Sequence, residues 1–207
     1  ADLREIIDRQ LHTGRVRDGQ VPPGLKPAWD SVSPALGEVV RDINKFSNNV
    51  MTQQLLLTLG KERMGVGSFD AGRTALSQWW QLRWAVAEMP VVDNGSGLSR
   101  NARISAQALG RMLQAAWHSA VMPEFVASLP ISGRDGPLRR SKASANAHLK
   151  TGSLRDVNSL AGYVHGYSGQ RYVLVAMVNH PNAGAARPVL DALVDWVAQD
   201  GAAVAQR

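Results

Sequence analysis

The sequence predicts an α+β fold: a helical cluster, then an antiparallel sheet, then a closing helix packed on that sheet. Three observations predict it. Apolar residues recur at helical spacing in several separate stretches through residue 119. From residue 148 the pattern changes to three short segments rich in β-branched residues, with Ser168, Gly169 and Gln170 forming a tight turn between the last two. Helical spacing then returns near the C-terminus. Helices segregated from a run of strands read as helix-on-sheet layering.

The elements follow in order. Leu3, Ile6, Ile7 and Leu11 share a helical face, and Gly14 ends that run. A polar, proline-rich stretch through Pro22, Pro23 and Pro27 separates it from the next helix. Ser33 reads as an N-cap with Pro34 at the first helical position, and Val39, Val40, Ile43 and Phe46 supply the apolar side. Residues 47–60 read as a second helix and residues 70–87 as a third. Trp80 and Trp84 lie four apart on one face of that third helix, which points to core packing rather than to a cofactor stack. Residues 93–100 form a Gly/Ser turn region, Ser105 caps a helix to about residue 119, and residues 130–147 read as loop. Strands are expected at 148–154, 159–167 and 171–179, and a last helix at 185–199 with Val189, Leu193, Trp196 and Val197 on one side.

Composition narrows the class. The chain has 207 residues, 44% hydrophobic and 19% charged, which suits one domain with a core and excludes disordered or fibrous classes. The longest apolar run, residues 172–178, is far too short to span a membrane and reads as a buried strand. The net charge of +6 favours anionic partners only in a general way. The one local cationic cluster, Arg134, Arg139, Arg140 and Lys142, reads as a solvated loop. Cysteine is absent, which excludes disulfides, thiol nucleophiles and Cys-ligated metals. The chain opens on Ala1 with no leader-like segment, so Ala1 reads as a processing site, an expression boundary or a cut in a longer chain.

Two short motifs carry chemistry. Lys150, Thr151 and Gly152 stand where a strand begins. Lysine offers a fixed positive charge to a carboxylate and threonine a hydrogen bond to the same group, while glycine lets another backbone approach the strand edge. Ser47, Asn48 and Asn49 form an S-x-N pattern between two helical runs. Alone, each pattern is weak: the first also opens strands and the second also caps helices. In this order, with helices between, S-x-N and K-T-G form the signature of serine penicillin-binding proteins and class A β-lactamases.

The flanks sharpen the match. Residues 44–51 (NKFSNNVM), 93–100 (DNGSGLSR), 129–138 (LPISGRDGPL) and 150–163 (KTGSLRDVNSLAGY) follow one another as in the class C low-molecular-mass penicillin-binding proteins. The chain resembles that family of D-Ala-D-Ala carboxypeptidases and endopeptidases from about residue 33 to 179. The resemblance implies a serine β-lactamase/transpeptidase-like domain, of which residues 1–207 would be the C-terminal portion. It implies attack by a serine on the carbonyl between two terminal D-alanines of a peptidoglycan stem peptide, through an acyl-enzyme that β-lactams also form. Ser47 would relay protons to the leaving amine. Asn49 would bond the substrate amide and help hold the catalytic lysine. Lys150 and Thr151 would hold the terminal carboxylate, Gly152 would keep the strand edge open, and the Ser153 N–H would serve the oxyanion hole. The 93–100 turn reads as structural. No cofactor, metal or nucleic acid is implied, and the location would be the periplasm or cell envelope. Pro137 replaces a usual threonine, and Leu149 a usual small residue.

The nucleophile is the main departure. The family needs S-x-x-K, and no serine in this sequence has lysine three residues later. The expectation is an upstream segment that supplies that motif and completes a five-stranded sheet, with this chain inactive alone. The alternatives are a non-catalytic peptidoglycan-peptide-binding fragment or pseudo-enzyme, and a basic module for anionic polymers, which only the charge suggests.

Overall fold

A computed structural model describes residues 19–20, 22–27, 30–84, 89–143 and 146–200. The expected helix over residues 3–11 lies outside them. The chain divides into two units, Ala1–Ser33 and Pro34–Arg207. The described part of the first is short and holds a turn closed by Leu25 N donating to Pro22 O at 3.2 Å. The second carries every regular element below.

Helix α1 spans Leu36–Phe46. It starts later than Ser33 and Pro34 suggest. Ala35 takes the cap position, and the Glu38 carboxylate reaches back to accept from Ala35 N at 3.2 Å. A Glu at the third helical position closes the N-terminus without a capping hydroxyl. The expected apolar side is covered only at its centre: Ile43 is buried, while Phe46 is 74% exposed. Helix α2 spans Asn49–Met64, with Asn48 Oδ1 accepting from Met51 N at 3.0 Å and Gly65 ending it at φ 79°. Gly60 is therefore internal and does not end the helix. It lies against α3 (Phe69–Gln81), where a Cβ at Gly60 would come 2.7 Å from Gly72 N. Contact this close leaves no room for a side chain at Gly60. Ser68 Oγ caps α3 by accepting from Ala71 N at 3.2 Å. The helix ends at Gln81, and residues 85–87 of the expected span lie outside the described residues. Trp80 is buried, and its ring centroid lies 4.6 Å from that of Trp84.

Helix α4 spans Ala106–Trp117 and is capped by Ser105 as expected, with Ser105 Oγ accepting from Ala108 N at 3.0 Å. A short helix α5, Met122–Ser128, follows, and the expected loop contains a 3-10 turn at Gly136–Arg140. Strands β1 (Ala147–Leu154), β2 (Val157–His165) and β3 (Arg171–Asn179) form an antiparallel sheet in the order β1-β2-β3. Helix α6, Arg187–Ala198, closes the unit. The α+β class is as the sequence predicts.

The sheet is covered on both faces. Leu149, Leu160, Val164 and Leu174 pack against Leu190, Val194 and Val197 of α6. Tyr163, from the other face, packs with Leu113 and Leu129 and with the partly buried Trp117 and Phe125. Burial pushes the Tyr163 phenol up to about 12, and its Oη donates to Leu113 O at 2.7 Å. The expected stripe of α6 is half covered: Val197 is buried and Leu193 packs against the core, but Val189 is 67% exposed and Trp196 45%, and Leu190, Val194 and Ala198 are buried in addition. Two apolar stripes overlap on this helix, and the sheet selects the one spaced i, i+4, i+8.

Gly162 fixes the pairing of β1 with β2. Its φ is 151°, and a Cβ there would stand 2.1 Å from His148 O on β1. Gly162→Ala should lower stability by about 2–4 kcal/mol, through strain and separation of the two strands. Urea unfolding of the two proteins checks this, and an unchanged midpoint would count against it.

Candidate active site

Strand alternation sets the site. Leu149 points into the α6 core, so Lys150 points to the opposite face. There Lys150 Nζ donates to Ser47 Oγ at 2.7 Å and to Thr151 O at 3.0 Å. Burial holds the Lys150 ammonium below its ordinary pKa, because removing water disfavours the charged form. The two motifs, 103 residues apart, thus meet at one hydrogen bond.

Ser47 reaches this position through its backbone. It ends α1 in the left-handed conformation, at φ 51° and ψ 47°. A non-glycine residue rarely adopts that conformation. It turns the chain sharply from α1 into α2, where Asn48 is the cap. Asn49 opens α2, and with its amide oriented so that both polar atoms are satisfied, its nitrogen donates to Ser96 O at 2.9 Å and Ser47 O at 3.3 Å. Ser96 belongs to the 93–100 turn, which holds itself together: Ser99 Oγ donates to Asp93 Oδ2 at 2.5 Å, and Ser96 Oγ to Asn94 Oδ1 at 2.7 Å. The turn is thus a brace for Asn49.

A second brace escaped the sequence reading. Lys45 Nζ donates to Leu129 O at 2.7 Å and to Asp135 Oδ2 at 2.6 Å. Asp135 Oδ1 accepts from Ile131 N at 2.6 Å. Asn44 Nδ2 donates to Ser128 Oγ at 2.8 Å. These bonds fasten the last turn of α1 to the segment that lines β1. Burial raises the Asp135 pKa, but the Lys45 hydrogen bond and the Ile131 N–H outweigh it and hold the carboxyl below the ordinary range. The only sequence signal was that Lys45 and Asp135 fall in two of the resembling blocks.

The remaining site residues lie along the outer edge of β1. Ser132 N donates to Ala147 O at 2.9 Å and Leu149 N to Pro130 O at 2.8 Å, so residues 130–132 cover the first half of that edge. Past Leu149, the same alternation turns the main-chain groups of Thr151 and Ser153 outward. Their side chains point away from Lys150 and line a hollow beside α6. Thr151 and Lys150 are therefore neighbours in sequence with side chains on opposite faces of the sheet. At Gly152 a Cβ would come 2.6 Å from Ser159 Oγ on β2, so the missing side chain makes room for that hydroxyl. Among the described residues no group of three His, Asp or Glu side chains is placed to hold a metal, and no helix is long and apolar enough to cross a membrane.

The chain is similar to known proteins in sequence and in fold. A family model described as the D-Ala-D-Ala carboxypeptidase 3 (S13) family matches residues 3–200. A D-alanyl-D-alanine carboxypeptidase of Actinomadura sp. is 30% identical over 185 residues, 84% of this chain and 34% of that protein. The D-alanyl-D-alanine carboxypeptidase DacB of Haemophilus influenzae is 25% identical over 193 residues, 87% of this chain and 40% of that protein. The chain thus spans well under half the length of either relative. In structure it is similar to penicillin binding protein 4 from Haemophilus influenzae in complex with a β-lactam, with a TM-score of 0.65 and 21% identity over 76% of this chain and 41% of that one. A Bdellovibrio bacteriovorus predatory endopeptidase acylated by penicillin G gives a TM-score of 0.57 and 18% identity, covering 79% of this chain and 44% of that one.

The Asp135 brace has a pH signature. A carboxyl held below its unfolded pKa stabilises the fold above that value and loses the contribution as pH falls through the folded value. Asp135→Asn should lower stability by about 1–2 kcal/mol at pH 7, discounted for a side chain that is 39% exposed. It should also flatten the loss of stability below about pH 4. Unfolding midpoints at pH 7 and pH 3 measure both effects, and parallel curves for the two proteins would contradict the brace.

Proposed function

The chain belongs to the D-Ala-D-Ala carboxypeptidase 3 (S13) family, and from that premise we propose that it forms the S-x-N and K-T-G part of a penicillin-sensitive serine carboxypeptidase site acting on peptidoglycan stem peptides in the cell envelope. The observation that carries this reading is the 2.7 Å hydrogen bond from Lys150 Nζ to Ser47 Oγ. No serine in the sequence is followed by lysine three residues on. The proposal therefore takes the acylated serine from outside these 207 residues, in the same polypeptide or in a tightly bound second one.

The roles follow from donors and acceptors. Because Ser47 Oγ accepts from an ammonium, its own O–H is free to donate. It can pass that proton to the amine of the departing D-alanine as the acyl-enzyme forms. Lys150, whose burial makes it a readier proton donor than an ordinary lysine, can resupply Ser47, and the proton that the attacking serine gives up restores the ammonium, so that the step is proton-neutral. An extended substrate laid along the outer edge of β1 meets the main-chain groups of Thr151 and Ser153, a mode of strand addition. The Ser153 N–H is then placed to bind the oxyanion of the tetrahedral intermediate, which stabilises the transition state by about 3–4 kcal/mol in comparable sites. Asn49, held at the same helix junction, keeps the Ser47 turn in place. Water completes the cycle by releasing the shortened peptide. Cleavage of cross-links by the same chemistry would be endopeptidase action at this site.

The test uses the complete polypeptide that contains this sequence. A tagged penicillin should label it, with the label on a serine outside residues 1–207. Lys150→Ala should slow acylation by roughly 10²–10⁴-fold, the range for loss of one acid–base group. Lys150→Arg should keep the charge but move the alkaline limb of the acylation pH profile upward. In the unaltered protein that limb should lie below the ordinary lysine value, since the lysine loses its proton early. A folded protein that takes no label but binds a D-Ala-D-Ala peptide would replace this reading with a non-catalytic binding role. Unchanged acylation in Lys150→Ala would remove Lys150 from the site.

A further inference from the structure

Two imidazoles meet on the Lys150 face of the sheet, and the proton transfers at Ser47 use neither. His148 stands two residues before Lys150 on β1, so its side chain leaves the strand on the same face. Tyr163 is its cross-strand partner on β2, and His165 follows Tyr163 on that face. The two histidine rings meet edge to face, with centroids 5.6 Å apart, and both residues are half-buried. His148 Nδ1 lies 3.1 Å from Val126 O. A carbonyl can only accept, so Nδ1 carries a proton and donates it.

This bond ties β1 to the segment that holds α1. Val126 lies in the last turn of α5. Beyond it, Ser128 Oγ accepts from Asn44, and Leu129 O and the Asp135 carboxylate accept from Lys45. The main chain of His148 is also bridged to Ile131, whose N–H donates to Asp135 Oδ1. His148 thus grips the segment twice, by its ring at Val126 and by its backbone at Ile131. Lys45 and Asn44 precede Ser47 by two and three residues. The charged groups around the ring come from every side. Lys45 acts from α1 and Asp135 from the segment, Lys150 shares the strand face, and His165 stands opposite Arg171 of β3. Glu124, the only charged residue of α5, is exposed, and the Tyr163 hydroxyl is spent on Leu113 O. Burial holds the His148 imidazole below its ordinary pKa; the Val126 carbonyl opposes this, Lys45 adds to it, and Asp135 opposes it. Burial acts the same way at His165, and His148 and Arg171 add to it.

We infer that His148 is a positioning residue for Ser47, acting through residues 126–135, and that a proton on its imidazole releases Ser47. While the ring is neutral, the Val126 bond and the Lys45–Asp135 bond hold together, and Ser47 stays against Lys150. A charged ring repels the Lys45 ammonium and attracts the Asp135 carboxylate, so it pulls against the 2.6 Å bond between them. It also carries an Nε2–H that needs an acceptor in a half-buried place. The neighbouring His165 ring disfavours a second charge, so the release takes one proton. Neither histidine belongs to the two buried cores, so the loosening stays local to the brace. The inference rests on the functional reading above, because its readout is acylation.

The experiment follows acylation of the complete protein by a tagged penicillin between about pH 4.5 and 8. The unaltered protein should show a one-proton acid limb below the ordinary histidine value. His148→Ala should slow acylation at pH 7 by roughly 10–100-fold, as a misplaced proton donor does. His148→Asn sets an amide nitrogen where Nδ1 stands and should recover most of that rate. Because an amide does not titrate, the same variant should lose the acid limb and keep its rate where the unaltered protein has faded. A limb that persists in His148→Asn overturns the release by protonation. An asparagine variant as slow as the alanine one at pH 7 overturns the positioning role. If His148→Ala does not fold, the pH profiles of His148→Asn and the unaltered protein decide on their own. An unaltered protein that takes no label at any pH overturns the functional reading itself, a different result from a limb that the substitution fails to move.

Discussion

A lysine ammonium taken partly out of water needs partners, and the second unit is arranged around supplying them to Lys150. Its strand fixes which face the side chain enters. The partner it meets there, Ser47, comes from a helix junction more than a hundred residues earlier. That junction keeps its position because both of its sides are tied down. Lys45 and Asn44 tie α1 to residues 128–135, and Asn49 ties α2 to the 93–100 turn. Residues 130–132 then bond to the edge of β1 itself. The path from Ser47 to Lys150 is thus closed twice, once through the direct contact and once through main-chain bonds. In the proposed role the pair benefits from such a closed path, because small displacements of a proton donor are costly to rate.

The same layout explains what the sequence revealed. Local signals were legible where one residue decides one element. Ser105 caps α4 because hydroxyl and apolar periodicity coincide there, and β3 runs over its expected residues. They misled where two answers were locally equivalent. Ser33 and Pro34 offered a helix start, but Glu38 closes it nearer the helix. The helix expected to stop at residue 60 runs on to Met64, because the approach of α3 that accounts for Gly60 is a tertiary fact. The stripe on α6 and the exposure of Phe46 depend on which neighbour arrives, and periodicity carries no record of that.

At the site, motif order conveyed that Ser47 and Lys150 should converge, and they do. Order did not convey the faces. Thr151 and Lys150 read as a pair because they adjoin in sequence, yet adjacent strand residues necessarily diverge. The Lys45–Asp135 bond spans 90 residues and lies beyond any local pattern. The family resemblance held, and the structure shows which members of the four blocks brace the Ser47 junction and which lie along the open edge of β1.

The left-handed backbone of Ser47 has an evolutionary consequence. Glycine adopts that conformation without strain, whereas a residue with a Cβ gives up about 1 kcal/mol or more to do so. At this position the fold and the chemistry therefore favour different residues. Selection for stability alone would drift toward glycine and erase the hydroxyl, and only selection for the hydroxyl retains serine. A lineage released from the proposed role should show that release here early, as a gain in thermodynamic stability that accompanies the loss of the hydroxyl.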